Sequence, residues 1–60
     1  MKVKELVKVF AANQKFEIRK TVDAMDCYFE GTLLDYDGEQ SDAVVSSMAA
    51  SESLITIYIE

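Results

Sequence analysis

Four apolar residues near the start of the chain, Val3, Leu6, Val7 and Phe10, fall at i, i+3, i+4 and i+7 and mark one stripe of a helix. Lys2, Lys4, Glu5 and Lys8 occupy its other side, Ala11 and Ala12 can extend it, and Asn13 suits a left-handed stop. The pattern then changes period. Across Lys15–Thr21, Phe16 and Ile18 alternate with Glu17 and Arg19, as on a half-buried strand. A turn is expected at Thr21–Asp26 and a second strand at Cys27–Asp35. Asp37-Gly38 marks a longer loop between Asp35 and Asp42. Leu54–Ile59 is the clearest strand, with Ile55, Ile57 and Ile59 on one face. Residues 42–50 admit two readings. Val44, Val45 and Met48 form a weak helical stripe capped by Ser41, whereas two valines and two serines favour a strand that turns at 51–53.

The strand reading is preferred. It predicts a single α+β domain over 1–60, with an N-terminal helix packed on a small antiparallel sheet of about four strands. The alternative has a second short helix at 42–50 and three strands. The expected core joins Val3, Leu6, Val7 and Phe10 to Phe16, Ile18, Phe29, Leu33, Ile55, Ile57 and Ile59.

Strand parity also has a consequence for assembly. If the second strand ran unbroken to Asp35, Tyr28, Leu34 and Tyr36 would share the face opposite the helix with Leu54 and Tyr58. A sheet face meeting only water rarely carries that much apolar area. These five residues are therefore the expected interface of a homo-oligomer, a dimer or tetramer. A bulge at Gly31 would reverse the parity of residues 33–36.

At 60 residues the chain buries only about 60% of its unfolded surface, so support from a metal, disulfides or a partner subunit would matter. Cys27 is the only cysteine, which excludes an internal disulfide, and the absence of histidine excludes a histidine-based triad or metal site. Half of the residues are hydrophobic, which argues against disorder. No apolar run approaches a membrane span, and no signal-peptide core is visible. A cytoplasmic, reducing location is the expectation.

Charge is the least ordinary feature. All six bases lie within residues 1–20 with two acids, a local +4, while residues 21–60 hold nine acids and no base. The whole chain is at −5. Asp35, Asp37, Glu39, Asp42 and Glu52 form the expected acidic surface, which would repel phosphate and attract basic surfaces such as the nucleic-acid channels of other proteins. Lys15, Arg19 and Lys20, interleaved with Phe16, have the composition of a single-strand-binding patch. A pI near 4.5 opposes direct nucleic-acid binding.

Residues for catalysis are sparse. Asp35, Asp37, Gly38 and Glu39 match part of a calcium loop, but the register places Leu33 and Val44 at its end ligands and fails. A magnesium ion on Asp35, Asp37 and Glu39 is the one route to metal-assisted DNA nicking. Cys27 lacks a basic neighbour and reads as a small buried residue, and Ser46, Ser47, Ser51 and Ser53 lack a general base. No catalytic residue, resident metal or cofactor is assigned.

The helix Val3-Lys4-Glu5-Leu6-Val7, the strand with Phe29-Glu30-Gly31, and Val45-Ser46-Ser47-Met48 before an isoleucine-rich end give the whole chain a recognisable order. In this pattern it resembles short prophage and mobile-element proteins of Firmicutes and gut bacteria. The resemblance covers nearly all 60 residues, though none of its motifs is chemical. It implies a non-enzymatic interaction protein, in its sharpest form an anti-CRISPR or similar host-defence inhibitor that occupies a nuclease. The alternatives are a metal-assisted DNA-nicking enzyme and a regulatory module binding single strands through the basic patch.

Overall fold

The computed structural model describes residues 1–21 and 25–60. It holds one short helix, α1 (Val3–Val7), and four strands: β1 (Lys15–Lys20), β2 (Cys27–Gly31), β3 (Val45–Ala50) and β4 (Leu54–Ile59). The α+β class is as expected, and residues 45–50 are strand rather than helix. The turn expected at Thr21–Asp26 falls partly on residues 22–24, which lie outside the described residues.

The sheet is mixed rather than antiparallel. Its order is β2-β1-β4-β3, with antiparallel pairs at both sides and a parallel β1–β4 pair at the centre. Two hairpins thus lie side by side, joined through their inner strands. The inner strands carry the most core: Phe16 and Ile18 stand opposite Ile55 and Ile57, and all but Ile55 are buried. Central position gives a strand neighbours on both sides, so the apolar side chains it carries are covered most completely there.

The helix is shorter than its stripe. It ends at Val7, and the Val9 and Phe10 amides donate to the Leu6 and Val7 carbonyls three residues back. That tightening swings Phe10 onto Phe16, with ring centroids 5.2 Å apart. At the other end the Glu5 carboxylate accepts the Lys2 amide at 2.8 Å, which holds its pKa below the ordinary range. The amides of Val3 and Lys4 donate to Ala43 and Ser41, tying the helix to the segment that enters β3.

Every residue expected in the core is found there. Val3, Val7, Phe16, Ile18, Ile57 and Ile59 are buried, and Leu6, Phe10, Phe29, Leu33 and Ile55 pack against them. Tyr28, Tyr36, Ala43 and Val45 join this cluster as well.

Strand β2 stops at Gly31 instead of continuing to Asp35. Gly31 has φ 156°, and the next residues form a turn in which the amides of Asp35 and Tyr36 donate to Thr32 and Leu33. The turn lays Leu33 and Tyr36 over Phe16 and Phe29. A Cβ at position 31 would stand 3.1 Å from Cζ of Phe29, a ring already held by Phe16 and Tyr36. Gly31→Ala is therefore expected to cost about 1–3 kcal/mol, from the unfavourable backbone region and the displaced ring. A thermal midpoint equal to that of the wild type would refute this role.

Candidate interaction surface

The five residues expected to form one apolar interface do not share a face. Ile18 pairs with Phe29 and Arg19 with Cys27, so Tyr28 is the extra residue of a bulge and packs against the core cluster. Tyr36 is also on the core side, 5.6 Å from the Phe16 ring and 5.0 Å from Phe29. Leu34 sits 84% exposed in the turn. Only Leu54 and Tyr58 remain together, on the far face of β4 opposite Lys15 and Arg19. The expected patch was built on an unbroken β2, and the bulge at Tyr28 with the turn after Gly31 dismantles it.

That far face has a polar centre instead. Glu17 is only 7% exposed, the sole buried charged residue among the described residues. Both of its oxygens are engaged by Arg19, with Nε 2.9 Å from Oε1 and Nη2 3.0 Å from Oε2. Thr56, directly opposite on β4, donates its hydroxyl to Oε1 at 2.9 Å. The Arg19 hydrogen bond is the main reason that the Glu17 pKa lies below its ordinary value, with Thr56 adding to it against the opposing effect of burial. Strand alternation shows Glu17 and Arg19 on one face, but the neighbouring Thr56 depends on the β1–β4 register. The sequence therefore carries no local signal for this site.

Glu17, Cys27 and Glu30 bring possible ligand atoms within 4.8 Å of one another, the one such group among the described residues. A cation there would have to displace the Arg19 guanidinium from Glu17. Cys27 is exposed, not buried as its composition suggests, and its thiol donates to the Phe29 carbonyl at 3.3 Å. It begins an edge strand beside the bulge, where its side chain stays open to solvent. Asp35, Asp37 and Glu39 do not converge as a metal site would require.

Four of the five residues expected to form the acidic surface lie on the loop between β2 and β3. Asp35, Asp37, Glu39 and Asp42 are all exposed along it. Tyr36 anchors this loop: its ring is in the core and its hydroxyl donates to the Glu39 carbonyl at 2.5 Å. Burial, then the charges of Asp37 and Glu39, push the Tyr36 phenol above its ordinary pKa. The Asp37 carboxylate accepts the Glu39 amide at 3.0 Å, and Gly38 (φ 93°) and Gln40 (φ 58°) turn the chain in the left-handed region. Asp42 pairs with Lys4 at 3.0 Å. The basic and acidic halves of the sequence thus meet in space here. Glu52 lies apart, in the β3–β4 turn.

The basic residues are not gathered. Lys15 and Arg19 share the far face, with Arg19 committed to Glu17, while Lys20 stands opposite Ile59 on the other face. No helix among the described residues is long and apolar enough to cross a membrane, and these residues enclose no pocket. No protein-family model, curated protein or solved structure matches the chain.

Proposed function

We propose that this chain is a non-enzymatic binding protein that places its acidic loop on a basic surface of another protein, and that it works as a homo-oligomer. The observation that carries this reading is the set of three exposed carboxylates, Asp35, Asp37 and Glu39, on a loop pinned to the core by Tyr36. None of the three pairs with a base among the described residues. A pinned loop loses little freedom on binding, and carboxylates free of internal bases keep their charge available for a partner. Together with the prophage-like pattern, this makes a cytoplasmic inhibitor of a host-defence nuclease the sharpest form of the proposal. Its target would be a positively charged nucleic-acid channel.

The test is binding to purified RNA-guided nucleases by calorimetry at low and moderate salt. The triple variant Asp35→Asn, Asp37→Asn, Glu39→Gln is expected to bind about tenfold more weakly or worse, with a reduced salt dependence. Equal affinity of the variant and the wild type would reject the acidic loop as the contact. No binding by the wild type would reject this class of target.

A further inference from the structure

The two edges of the sheet differ in how they are protected. On β2 the bulge at Tyr28 and the charge of Glu30 interrupt the edge. On β3 the first positions are covered by the N-terminus: the Val45 amide donates to the Met1 carbonyl, and Lys2 bridges Val44. Beyond that point Ser47–Ala50 has no neighbour on its outer side among the described residues. Residues 43–51 are the longest stretch of the chain without a charged side chain, and Ser46–Ala50 are all exposed. Charge and proline, two usual guards of an edge strand, are missing there, and no segment covers it among the described residues.

The hydrogen-bond pattern shows which groups face outward. The Ser51 amide donates to the Leu54 carbonyl, so Ser51, Ala49 and Ser47 turn their backbone groups toward β4. Met48 and Ala50 turn theirs outward. Three exposed apolar side chains line the same edge: Met1, Val44 and Met48, the last 52% exposed.

We propose that β3 pairs antiparallel with β3 of a second copy across a two-fold axis centred on Ala49, which joins two four-stranded sheets into one of eight. This rests on the reading of the chain as a homo-oligomer and specifies the surface it uses. With Ala49 on the axis, Met48 stands opposite Ala50 of the second copy. The outward groups of these residues then form four hydrogen bonds, two on each side of the axis. The small side chains of Ser47, Ala49 and Ala50 permit the approach. The same register carries Glu52 of the second copy to the level of Ser46, two positions from Val44, which Lys2 bridges. Glu52 of each copy thereby approaches the basic N-terminal segment of the other, twice by symmetry. A second copy thus brings complementary charge to the covered end of the edge.

Light scattering after size exclusion, with hydrogen exchange of the Met48 and Ala50 amides at about 5 µM and about 500 µM, tests the proposal. The wild type is expected to double its mass, and both outward amides are expected to exchange at least about tenfold more slowly at the higher concentration. Ala49→Lys places two like charges across the axis at an exposed position, and is expected to yield a folded monomer by circular dichroism. A wild-type monomer at both concentrations would overturn the self-association reading and this interface together. An oligomer that survives Ala49→Lys and leaves the two amides unprotected, but dissociates on Tyr58→Glu, would overturn the edge pairing alone. The exchange data decide the matter without a variant, should Ala49→Lys fail to fold.

Discussion

Phe16→Ala is expected to remove a large share of the folding stability of the chain. Phe16 is fully buried in β1, and its ring meets Phe10, Phe29 and Tyr36 at centroid separations of 5.2, 5.1 and 5.6 Å. These partners come from the helix end, from β2 and from the acidic loop, so one ring joins three parts of the fold. Removing it costs about 3–5 kcal/mol, from lost burial and the cavity left among rings that cannot all close in. A domain of 60 residues holds in total about 3–9 kcal/mol. Urea unfolding followed by far-UV circular dichroism is the measurement. A midpoint within experimental scatter of the wild type would show that Phe16 does not tie these elements together. Because Tyr36 is one of the partners, the same substitution should also loosen the acidic loop.

The second large effect belongs to Glu17. Glu17→Gln leaves Arg19 facing a neutral group in a site with little water, and is expected to cost about 1.5–3 kcal/mol. The cost falls below that of breaking a fully buried pair because the Arg19 side chain keeps 27% of its exposure. The pH dependence has a definite sign. The folded pKa of Glu17 is depressed, chiefly by the Arg19 hydrogen bond. The unfolded chain therefore takes up the proton first, at about pH 4.3. The stabilisation is fully present above that pH and is lost as pH falls through the lower folded value. Melting temperatures of the two proteins should thus differ most at neutral pH and converge below about pH 4. Glu5 and Asp42, also depressed by their partners, titrate in both proteins and cancel in the comparison. A gap that stays constant down to pH 3 would mean that Glu17 is protonated or unpaired in the fold.

The far face of the sheet and the acidic loop call for different chemistry. On the face, the buried Glu17 carboxylate spends its charge on Arg19 and holds β1 against β4 through Thr56. On the loop, the carboxylates face water and are held in place by an aromatic residue in the core. The first arrangement stabilises the fold. The second leaves charge available to a partner.

What depends on neighbours in the chain was legible in the sequence. The 3.6-residue stripe of Val3, Leu6 and Val7 and the alternation at Phe16–Ile18 and Ile55–Ile59 each report which side of an element is dry. All eleven residues expected in the core are found in its cluster. The acidic run at 35–42 and the turn at Asp37-Gly38 were equally local, and both fall on the loop between β2 and β3. What depends on pairing between distant segments was decided by the tertiary structure. Nothing near Lys15–Lys20 signals that it runs parallel to Leu54–Ile59, because that choice follows from setting Phe16 and Ile18 beside Ile55 and Ile57 in one apolar row. The tyrosines show the same division. Alternation places a side chain only while the strand continues, and β2 is interrupted by a bulge at Tyr28 and ended at Gly31. Tyr28 and Tyr36 were thereby turned toward the core cluster, Tyr36 onto the rings of Phe16 and Phe29, where they bury more area than a solvated sheet face could offer. Glu17 completes the pattern: its alternation marked it for the surface, and only the register with Thr56 and the fold of Arg19 over it made it a buried ion pair.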